Sequence, residues 1–255
     1  MTSYKSLFVT AAGIALWVLG PGVPASDAAD QKAAPIDSTF IEEIVRDYLL
    51  KHPKVVVDAL NAYKMEQVGL EEKSIQHIIK AKRDELQNDP NSAVGGNING
   101  DVTVVEFFDY RCGVCKRAHL VVAKLIKQDQ KIRHVYKDWP ILGQQSVFAA
   151  RAAIASRQQG DNKYLAFHNR MMETTENLNP RKVIEIASDI GLNIKKLRVD
   201  MESAEIGNII QDNYRLAKAL KLNGTPSFLI GNTLLRGVRD LDTMISIVRI
   251  ARKKN

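Results

Sequence analysis

The fold can be inferred from residues 104–115, which read VVEFFDYRCGVC. A run of β-branched and aromatic residues, interrupted by one acid at Glu106, is typical of a strand buried on both faces of a sheet. Polar residues then lead into Cys112 and Cys115, the only two cysteines in the chain of 255 residues. A buried strand that ends at a closely spaced cysteine pair indicates a redox pair rather than a disulfide framework.

The spacing of the pair predicts its chemistry. Two cysteines at positions i and i+3 in the first turn of a helix lie on one face, close enough to form and open a small disulfide loop. The N-terminus of a helix favours an anion, so Cys112 is predicted to be the low-pKa thiolate that attacks and Cys115 the shielded partner that resolves. The charges of Arg111, Lys116 and Arg117 are expected to favour the thiolate further.

Residues 1–25 are predicted to be a secretory signal peptide. Lys5 precedes an apolar run over residues 7–19, which is too short to span a bilayer and is followed by small residues suited to cleavage. An uncleaved anchor is the alternative interpretation. Export would place the cysteine pair where disulfides form and persist.

The composition limits the classes of protein to which the chain can belong. The chain is 45% apolar and has a formal net charge of +7 without a basic block, which indicates a globular protein with a solvated cationic surface. An exported chain of this kind is not expected to bind nucleic acid.

Residues 26–97 are predicted to be a helical N-terminal region and linker. Apolar residues recur at helical spacing from Ser38, an expected N-cap, and His52-Pro53 interrupts the pattern before further amphipathic stretches. Residues 88–100 contain Asp-Pro, Gly-Gly and Asn-Gly pairs, so a domain boundary is predicted there. Such a short helical region can hardly bury its own core. It is expected to pack either on further copies of the chain or back on the same subunit.

Residues 98–255 are predicted to form an α/β domain. A strand over 102–108, a helix over 112–128 and a strand over 132–136 form a β-α-β unit with parallel strands. Helical patterns over about 145–220 indicate a helical insertion, and a short hairpin and a final helix follow.

Three segments in this order resemble the DsbA-like branch of the thioredoxin superfamily. They are residues 104–115, the segment VYKDWPILG over 135–143, and GTPSFLIG over 224–231. The resemblance covers about residues 98–253 and implies a thioredoxin-like fold with a helical insertion, preceded by an N-terminal α-helical extension. It also implies that Pro226 is a cis-proline packed against the cysteines, that Thr225 holds a substrate segment, and that the protein is periplasmic.

The same resemblance implies a role for Glu106. In related enzymes an acid at this point lies beneath the cysteine pair and helps to transfer its proton. An unpaired buried carboxylate is costly, and Lys137 on the adjacent strand is the expected partner. A merely structural or partly solvated acid is the alternative.

Metal binding is a weaker interpretation of the residues on the same helix. Cys112, Cys115 and His119 could present three ligands on one face, but nothing else in the sequence is placed to complete a site. We therefore predict no metal and no cofactor, and expect His119 on the helix surface.

The direction of the exchange is left open by the sequence. Gly113-Val114 departs from the Pro-His of the strongly oxidising DsbA type and from the Gly-Pro of thioredoxin, which predicts an intermediate potential. A threonine before the proline resembles isomerase-like and ScsC-like members. The resemblance implies a protein that forms, reduces or isomerises disulfides in unfolded or misfolded exported proteins, with a membrane redox partner and self-association through the N-terminal helices. The alternatives are a copper-tolerance protein that binds metal through the same thiols, and a holdase with a vestigial pair.

Overall fold

The structure is a computed structural model that describes residues 37–254. The predicted signal peptide, residues 1–25, and the leader that follows it lie outside the described residues. The described residues divide between Leu60 and Asn61 into two compact units. Within residues 37–254, no helix has both the length and the apolar character needed to cross a membrane.

The first unit is helical over its described residues. Helix α1 is Ser38–Lys51, and helix α2, Pro53–Ala81, begins after the predicted break at His52. The N-cap of α1 is Asp37 rather than the expected Ser38, because the Asp37 carboxylate accepts the backbone N–H of Thr39. No residue of α1 is buried.

The strands of the second unit form one mixed sheet. In chain order they are β1 Val94–Gly96, β2 Val102–Phe108, β3 Ile132–Asp138, β4 Ser227–Ile230 and β5 Thr233–Arg236. Their order across the sheet is β1-β3-β2-β4-β5, with β2 and β3 parallel and the other neighbouring pairs antiparallel. The predicted parallel β-α-β unit and the C-terminal hairpin are confirmed.

Helices cover this sheet and form the predicted insertion. In chain order they are α3 Arg83–Gln87, α4 Gly113–Gln128, α5 Gln144–Ser156, α6 Asp161–Glu173, α7 Pro180–Asp189, α8 Ile194–Met201, α9 Ala204–Ala219 and α10 Leu241–Lys254. The insertion predicted over about 145–220 contains α5 to α9. Helix α8 was not predicted, because its eight residues show little more than two turns of periodicity.

Alternate residues of β2 face different sets of helices. Val104 belongs to the apolar cluster of α4 and α10 with Val122, whereas Val105 and Phe107 belong to the cluster of α2 and α9 with Ile79. Side chains alternate across a strand, so a strand covered on both faces is apolar throughout. This explains why residues 102–108 form a nearly continuous apolar run.

The segment predicted as a linker differs from expectation. Residues 94–96 form the edge strand β1, which pairs with β3, and Leu86 of α3 is fully buried in the cluster of α2 and α9. The compact unit that holds the sheet begins at Asn61. The turn-forming pairs in 88–100 obscured a strand of three residues, two of which are glycine.

Candidate active site

The two cysteines lie where β2 leads into α4. Cys112 is the N-cap of α4, and its sulfur accepts the backbone N–H of Cys115 at 3.4 Å. Cys112 is 9% exposed and Cys115 is fully buried, and both thiols are free. The arrangement presents one sulfur at the surface and shields the other, because a residue one turn into α4 already faces the core.

Hydrogen bonds lower the pKa of the Cys112 thiol from 9.0 to about 5. The largest contribution is the hydrogen bond from the Cys115 thiol, and burial opposes it. Hydrogen bonds from Thr225 and from the backbone N–H groups of Cys115 and Val114 add to the lowering. Burial, with the hydrogen bond to Cys112, raises the pKa of Cys115 far above its usual range. At neutral pH, Cys112 is therefore a thiolate and Cys115 a thiol.

The basic side chains near the pair have other partners. The Lys116 ammonium donates to the backbone carbonyls of Met171 and Thr174 at the end of α6. The Arg111 guanidinium donates to the carbonyl of Leu142 at 3.3 Å. The lowered pKa of Cys112 thus comes mainly from hydrogen bonds rather than from the cations that the sequence analysis had expected to supply it.

The loop before β4 closes the site from the other side. The Thr225–Pro226 peptide bond is cis, as the resemblance implied. The carbonyl oxygen of Thr225 lies 3.3 Å from the sulfur of Cys112, within reach of its S–H group. The predicted residues Cys112, Cys115, Thr225 and Pro226 are therefore brought together.

Asp109 holds the active-site loop, and the sequence analysis missed it. It is buried, and its carboxylate accepts the backbone N–H of Arg111 at 2.8 Å and that of Leu142 at 3.0 Å. These bonds join the turn before α4 to the loop after β3. An aspartate two residues before a turn amide is a known signal for this arrangement, so the residue could have been found.

Glu106 has a different partner from the one predicted. Its carboxylate oxygen Oε2 lies 3.0 Å from Nε2 of His134, and both side chains are almost fully buried. Lys137 instead donates to Asp89 Oδ2 at 2.7 Å and to the carbonyl of Glu85 at 2.8 Å. The correction follows from strand alternation, because His134 and Lys137 are three positions apart on β3 and face opposite sides of the sheet.

A buried polar network lies behind the active-site loop. The Tyr110 hydroxyl is 3.1 Å from Nδ1 of His168, and the Tyr164 hydroxyl donates to Asp138 Oδ2 at 3.3 Å. Burial raises the pKa of Asp138 to about 7 and holds the pKa of His168 well below its usual range. His119, expected on the helix surface, is mostly buried, with its ring centroid 5.4 Å from that of His168, because α6 covers this side of α4.

The cysteines have no third metal ligand among the described residues. Within residues 37–254, no group of three or more histidine, cysteine, aspartate or glutamate side chains is arranged to hold a metal ion. His119 therefore does not join Cys112 and Cys115 as a ligand set.

Residues 103–249 match the model of the DSBA-like thioredoxin domain. The chain belongs to this family. Residues 39–67 also match the model of the copper resistance protein ScsC N-terminal domain. The DsbA-like domain thus spans from β2 into α10, and the second match spans most of α1 and the first half of α2.

Solved structures and curated relatives resemble this DsbA-like chain. A thioredoxin-like oxidoreductase from Silicibacter pomeroyi DSS-3 is 47% identical, with a TM-score of 0.65, over 67% of this chain and 98% of that one. BcfH of Salmonella enterica Typhimurium is 26% identical, with a TM-score of 0.70, over 84% of this chain and 95% of that one. A putative protein-disulfide oxidoreductase of Rickettsia typhi is 31% identical over 56% of this chain and 55% of its own length.

Some relatives are much longer than this DsbA-like chain. The chain spans 24% of the length of two Na(+)/H(+) antiporter NhaA proteins, from Salinispora tropica and Salinispora arenicola, at 24% identity over 160 residues. What is shared with them is a stretch of 160 residues.

Proposed function

We propose that the chain is a protein thiol-disulfide oxidoreductase in which Cys112 exchanges disulfides with client proteins and Cys115 resolves the mixed disulfide. The observation that carries the proposal is the contrast between the two thiols. The Cys112 thiol, at the edge of the site, has a pKa of about 5. Burial raises the pKa of the Cys115 thiol far above its usual range. The thiolate is the nucleophile in this chemistry, and a thiolate of low pKa is also the better leaving group.

The bonds, protons and electrons of the disulfide exchange balance in both directions. In oxidation, a client thiolate attacks the sulfur of Cys112, the bond from Cys112 to Cys115 breaks, and Cys115 leaves and takes up a proton. A second client thiolate then attacks the client sulfur of the mixed disulfide and releases Cys112 as a thiolate. The client loses two electrons, and the cysteine pair gains them. In reduction the same steps run backwards, so Cys115 must lose its proton before it attacks.

The pKa of Cys112 supports an intermediate redox poise. Its value of about 5 lies between the values of roughly 7 for thioredoxin and roughly 3.5 for DsbA. Reduction potentials of those proteins are about −270 and −120 mV. A potential between them suits reshuffling of disulfides as well as net oxidation. The direction then depends on whether a membrane partner reduces or reoxidises the pair.

The exported environment is part of the proposal. Residues 1–25 have the pattern of a signal peptide. A periplasmic thioredoxin-like protein from Salmonella enterica serovar Typhimurium is 25% identical to this chain, over 67% of this chain. The proposed clients are unfolded or misfolded exported proteins. The periplasm is the proposed compartment, because disulfides form and persist there.

Self-association through the N-terminal helices is also proposed. α1 buries none of its residues, and large apolar side chains are 62% exposed at Phe40, 52% at Ile44 and 52% at Tyr48. Exposed apolar side chains repeated on one helix mark an interaction surface. We expect light scattering of the chain without residues 1–25 to give an oligomer that a Phe40→Glu, Ile44→Glu double variant dissociates. Val199→Glu, at an exposed apolar position on α8, is the matched control, and a monomeric wild type would remove this part of the proposal.

The test of function is the refolding of a scrambled multi-disulfide protein. Rescue by the wild type that is lost in Cys112→Ser would establish disulfide isomerisation by this thiol. Rapid oxidation of a reduced client without rescue would establish an oxidase. Full activity of Cys112→Ser would defeat the proposal and favour a holdase with a vestigial pair.

Copper binding is the second candidate function. Its supporting observation is the match of residues 39–67 to a domain of a copper resistance protein, a range that contains no cysteine. Stoichiometric Cu(I) binding that survives competition by glutathione and is lost in Cys112→Ser would support it.

A further inference from the structure

A surface cleft lies between the C-terminal half of α9 and the loop that follows β3. Its volume is about 550 Å³. Three aromatic or apolar side chains and three cationic ones line it, namely Trp139, Tyr214, Leu222, Arg215, Lys218 and Lys221. The first three are buried or half-buried and the cations are exposed, and no aspartate or glutamate lines the cleft among the described residues. We call it the cationic cleft.

The aromatic side of the cationic cleft is held by contacts within the second unit. The ring of Trp139 meets those of Phe107 and Tyr214 edge-on, with centroids 6.3 and 6.4 Å away. The Tyr214 hydroxyl donates to the carbonyl of Pro140. Trp139 is only 7% exposed, so its position is fixed before any ligand arrives. A preformed aromatic surface loses little conformational entropy when it binds a side chain.

The charged side of the cleft carries more positive than negative charge. Lys218, in the last turn of α9, forms no ion pair among the described residues. Lys221 lies 3.8 Å from Glu71 of α2, and Arg215 pairs with Asp212 on its own helix. Exposed pairs of this kind are weak and exchange readily for other partners. The cleft is therefore complementary to a ligand that carries several carboxylates.

The cationic cleft adjoins the attacking sulfur. On one side, the backbone N–H of Trp139 donates to the carbonyl of Phe108, where β2 leads into the active-site loop, at 2.8 Å. On the other side, Leu222 precedes Thr225 by three residues, which span at most about 11 Å. The carbonyl of Thr225 lies 3.3 Å from the sulfur of Cys112. An extended chain bonded to that sulfur reaches the cleft within about five residues.

We propose that the cationic cleft binds an acidic segment of the client protein, about five residues from the client cysteine that reacts with Cys112. This inference rests on the proposed function and names the kind of client chain that it favours. Client carboxylates pair with Lys218 and its neighbours, and an apolar client side chain lies on the Trp139 ring. Complementary charge at the edge of an interface speeds association and selects partners.

The fluorescence of Trp139 measures binding without any redox step. Trp139 is the only tryptophan in residues 26–255, so it reports alone in the chain without residues 1–25. The probe is a peptide with a central serine in place of cysteine and a Glu-Phe-Glu-Glu segment on each side, four residues away. We expect a saturable change in emission that salt weakens. A matched peptide with glutamine in place of glutamate should bind about 10-fold more weakly.

The rate of disulfide exchange tests whether this binding selects clients. Cysteine versions of both peptides are mixed with the oxidised chain, and each rate is divided by the concentration of peptide thiolate. We expect the acidic peptide to react about 3- to 10-fold faster at low salt. Lys218→Glu should remove this preference and accelerate the reaction of a matched lysine peptide. Lys195→Glu, at an exposed lysine of α8, makes the same change of charge outside the cleft and is the matched control.

The outcomes separate this inference from the proposed function. Equal binding or equal reaction of the acidic and glutamine peptides with the wild type would overturn the cleft as a client site. A change in Trp139 emission with vesicles of phosphatidylglycerol, and none with the acidic peptide, would overturn it in favour of a lipid surface. No exchange with either peptide or with dithiothreitol would defeat the proposed function. The fluorescence titration then decides by itself whether the cleft binds acidic chains.

Discussion

At the scale of single residues, the reactivity of Cys112 depends on donors that its neighbours supply. The Cys115 thiol, Thr225 and two backbone N–H groups all stabilise the thiolate, and together they outweigh burial. Hydrogen bonds to a charged group are worth about 1.5–3 kcal/mol each, which is enough to move a pKa by one unit or more.

The first prediction concerns the alkylation of Cys112 by iodoacetamide. The rate should rise with a midpoint near pH 5 and stay constant at neutral pH, because the thiolate is then fully formed. Thr225→Val should move the midpoint upward by about one unit, since it removes one hydrogen bond to the sulfur. Thr225→Ser keeps the hydroxyl and should retain the wild-type midpoint. A wild-type midpoint near 8.5, that of a free cysteine, would contradict this account.

The second prediction concerns Asp138, whose pKa burial raises to about 7. A carboxyl group with a folded pKa above its unfolded value destabilises the fold once it ionises. The penalty is absent below about pH 4, grows up to about pH 7 and is then constant. Relative to the wild type, Asp138→Asn should therefore gain stability between pH 4 and pH 8, by up to about 4 kcal/mol.

Urea unfolding at several pH values checks this expectation. Asp189→Asn removes an exposed carboxylate on α7 and is the matched control. A stability difference between Asp138→Asn and the wild type that is the same at pH 4 and pH 8 would show that Asp138 is not held in its neutral form by burial.

The candidate site residues could be predicted from the sequence more readily than the side chains that they contact. Cys112, Cys115, Thr225 and Pro226 belong to short motifs whose spacing is visible in the chain. The partner of Glu106 depends on which face of β3 each side chain occupies, and His134 and Lys137 exchange roles if the register shifts by one residue. The network of Tyr110, Tyr164 and His168 joins positions far apart in sequence, and no local pattern reveals such contacts.

At the scale of elements, a buried ion pair holds the segment before β1 against the sheet. Lys137 of β3 is fully buried, and its ammonium donates to the Asp89 carboxylate and the Glu85 carbonyl. Asp89 also accepts the hydroxyl of Ser92 at 2.8 Å and the backbone N–H of Asn91 at 2.9 Å. These contacts make the segment after α3 part of the sheet unit rather than a free linker.

The third prediction tests this anchor. Asp89→Asn leaves the Lys137 ammonium buried without a counter-charge and should lower the free energy of unfolding by about 3–5 kcal/mol. Lys137→Met should cost less, because an apolar side chain suits the site and Asp89 can be partly solvated. Glu176→Gln breaks the more exposed ion pair with Lys182 and should lower the free energy of unfolding far less, because solvent screens that pair. Equal losses in Asp89→Asn and Glu176→Gln would contradict the anchor.

Most elements could be predicted because their periodic patterns are long. The strand over 102–108 and the helix after Cys112 match the sequence analysis closely, and the parallel pairing of β2 and β3 follows from the β-α-β order. β1 and α8 were missed because three and eight residues carry little periodicity. Apolar spacing also could not show that the second half of α2 is part of the sheet unit, which depends on the burial of Ile75 and Ile79.

At the scale of the whole molecule, the cysteine pair and the exposed helix α1 belong to different compact units. The second unit contains the cysteine pair, the acid beneath it and the cis-proline loop, and α1 presents unburied apolar side chains. Under the proposed self-association through α1, several copies would bring more than one redox pair to a client. Such an assembly would favour reshuffling of disulfides, because a client could be engaged repeatedly before release.

Trapping a mixed disulfide tests whether Cys112 attacks the client and Cys115 resolves the intermediate. The Cys115→Ser chain, mixed with a client that contains disulfides, should accumulate a covalent complex that mass spectrometry locates at Cys112. Cys112→Ser should trap no client, because the remaining thiol is buried and protonated. A complex that forms through Cys115 in Cys112→Ser, or no complex in Cys115→Ser, would contradict the account.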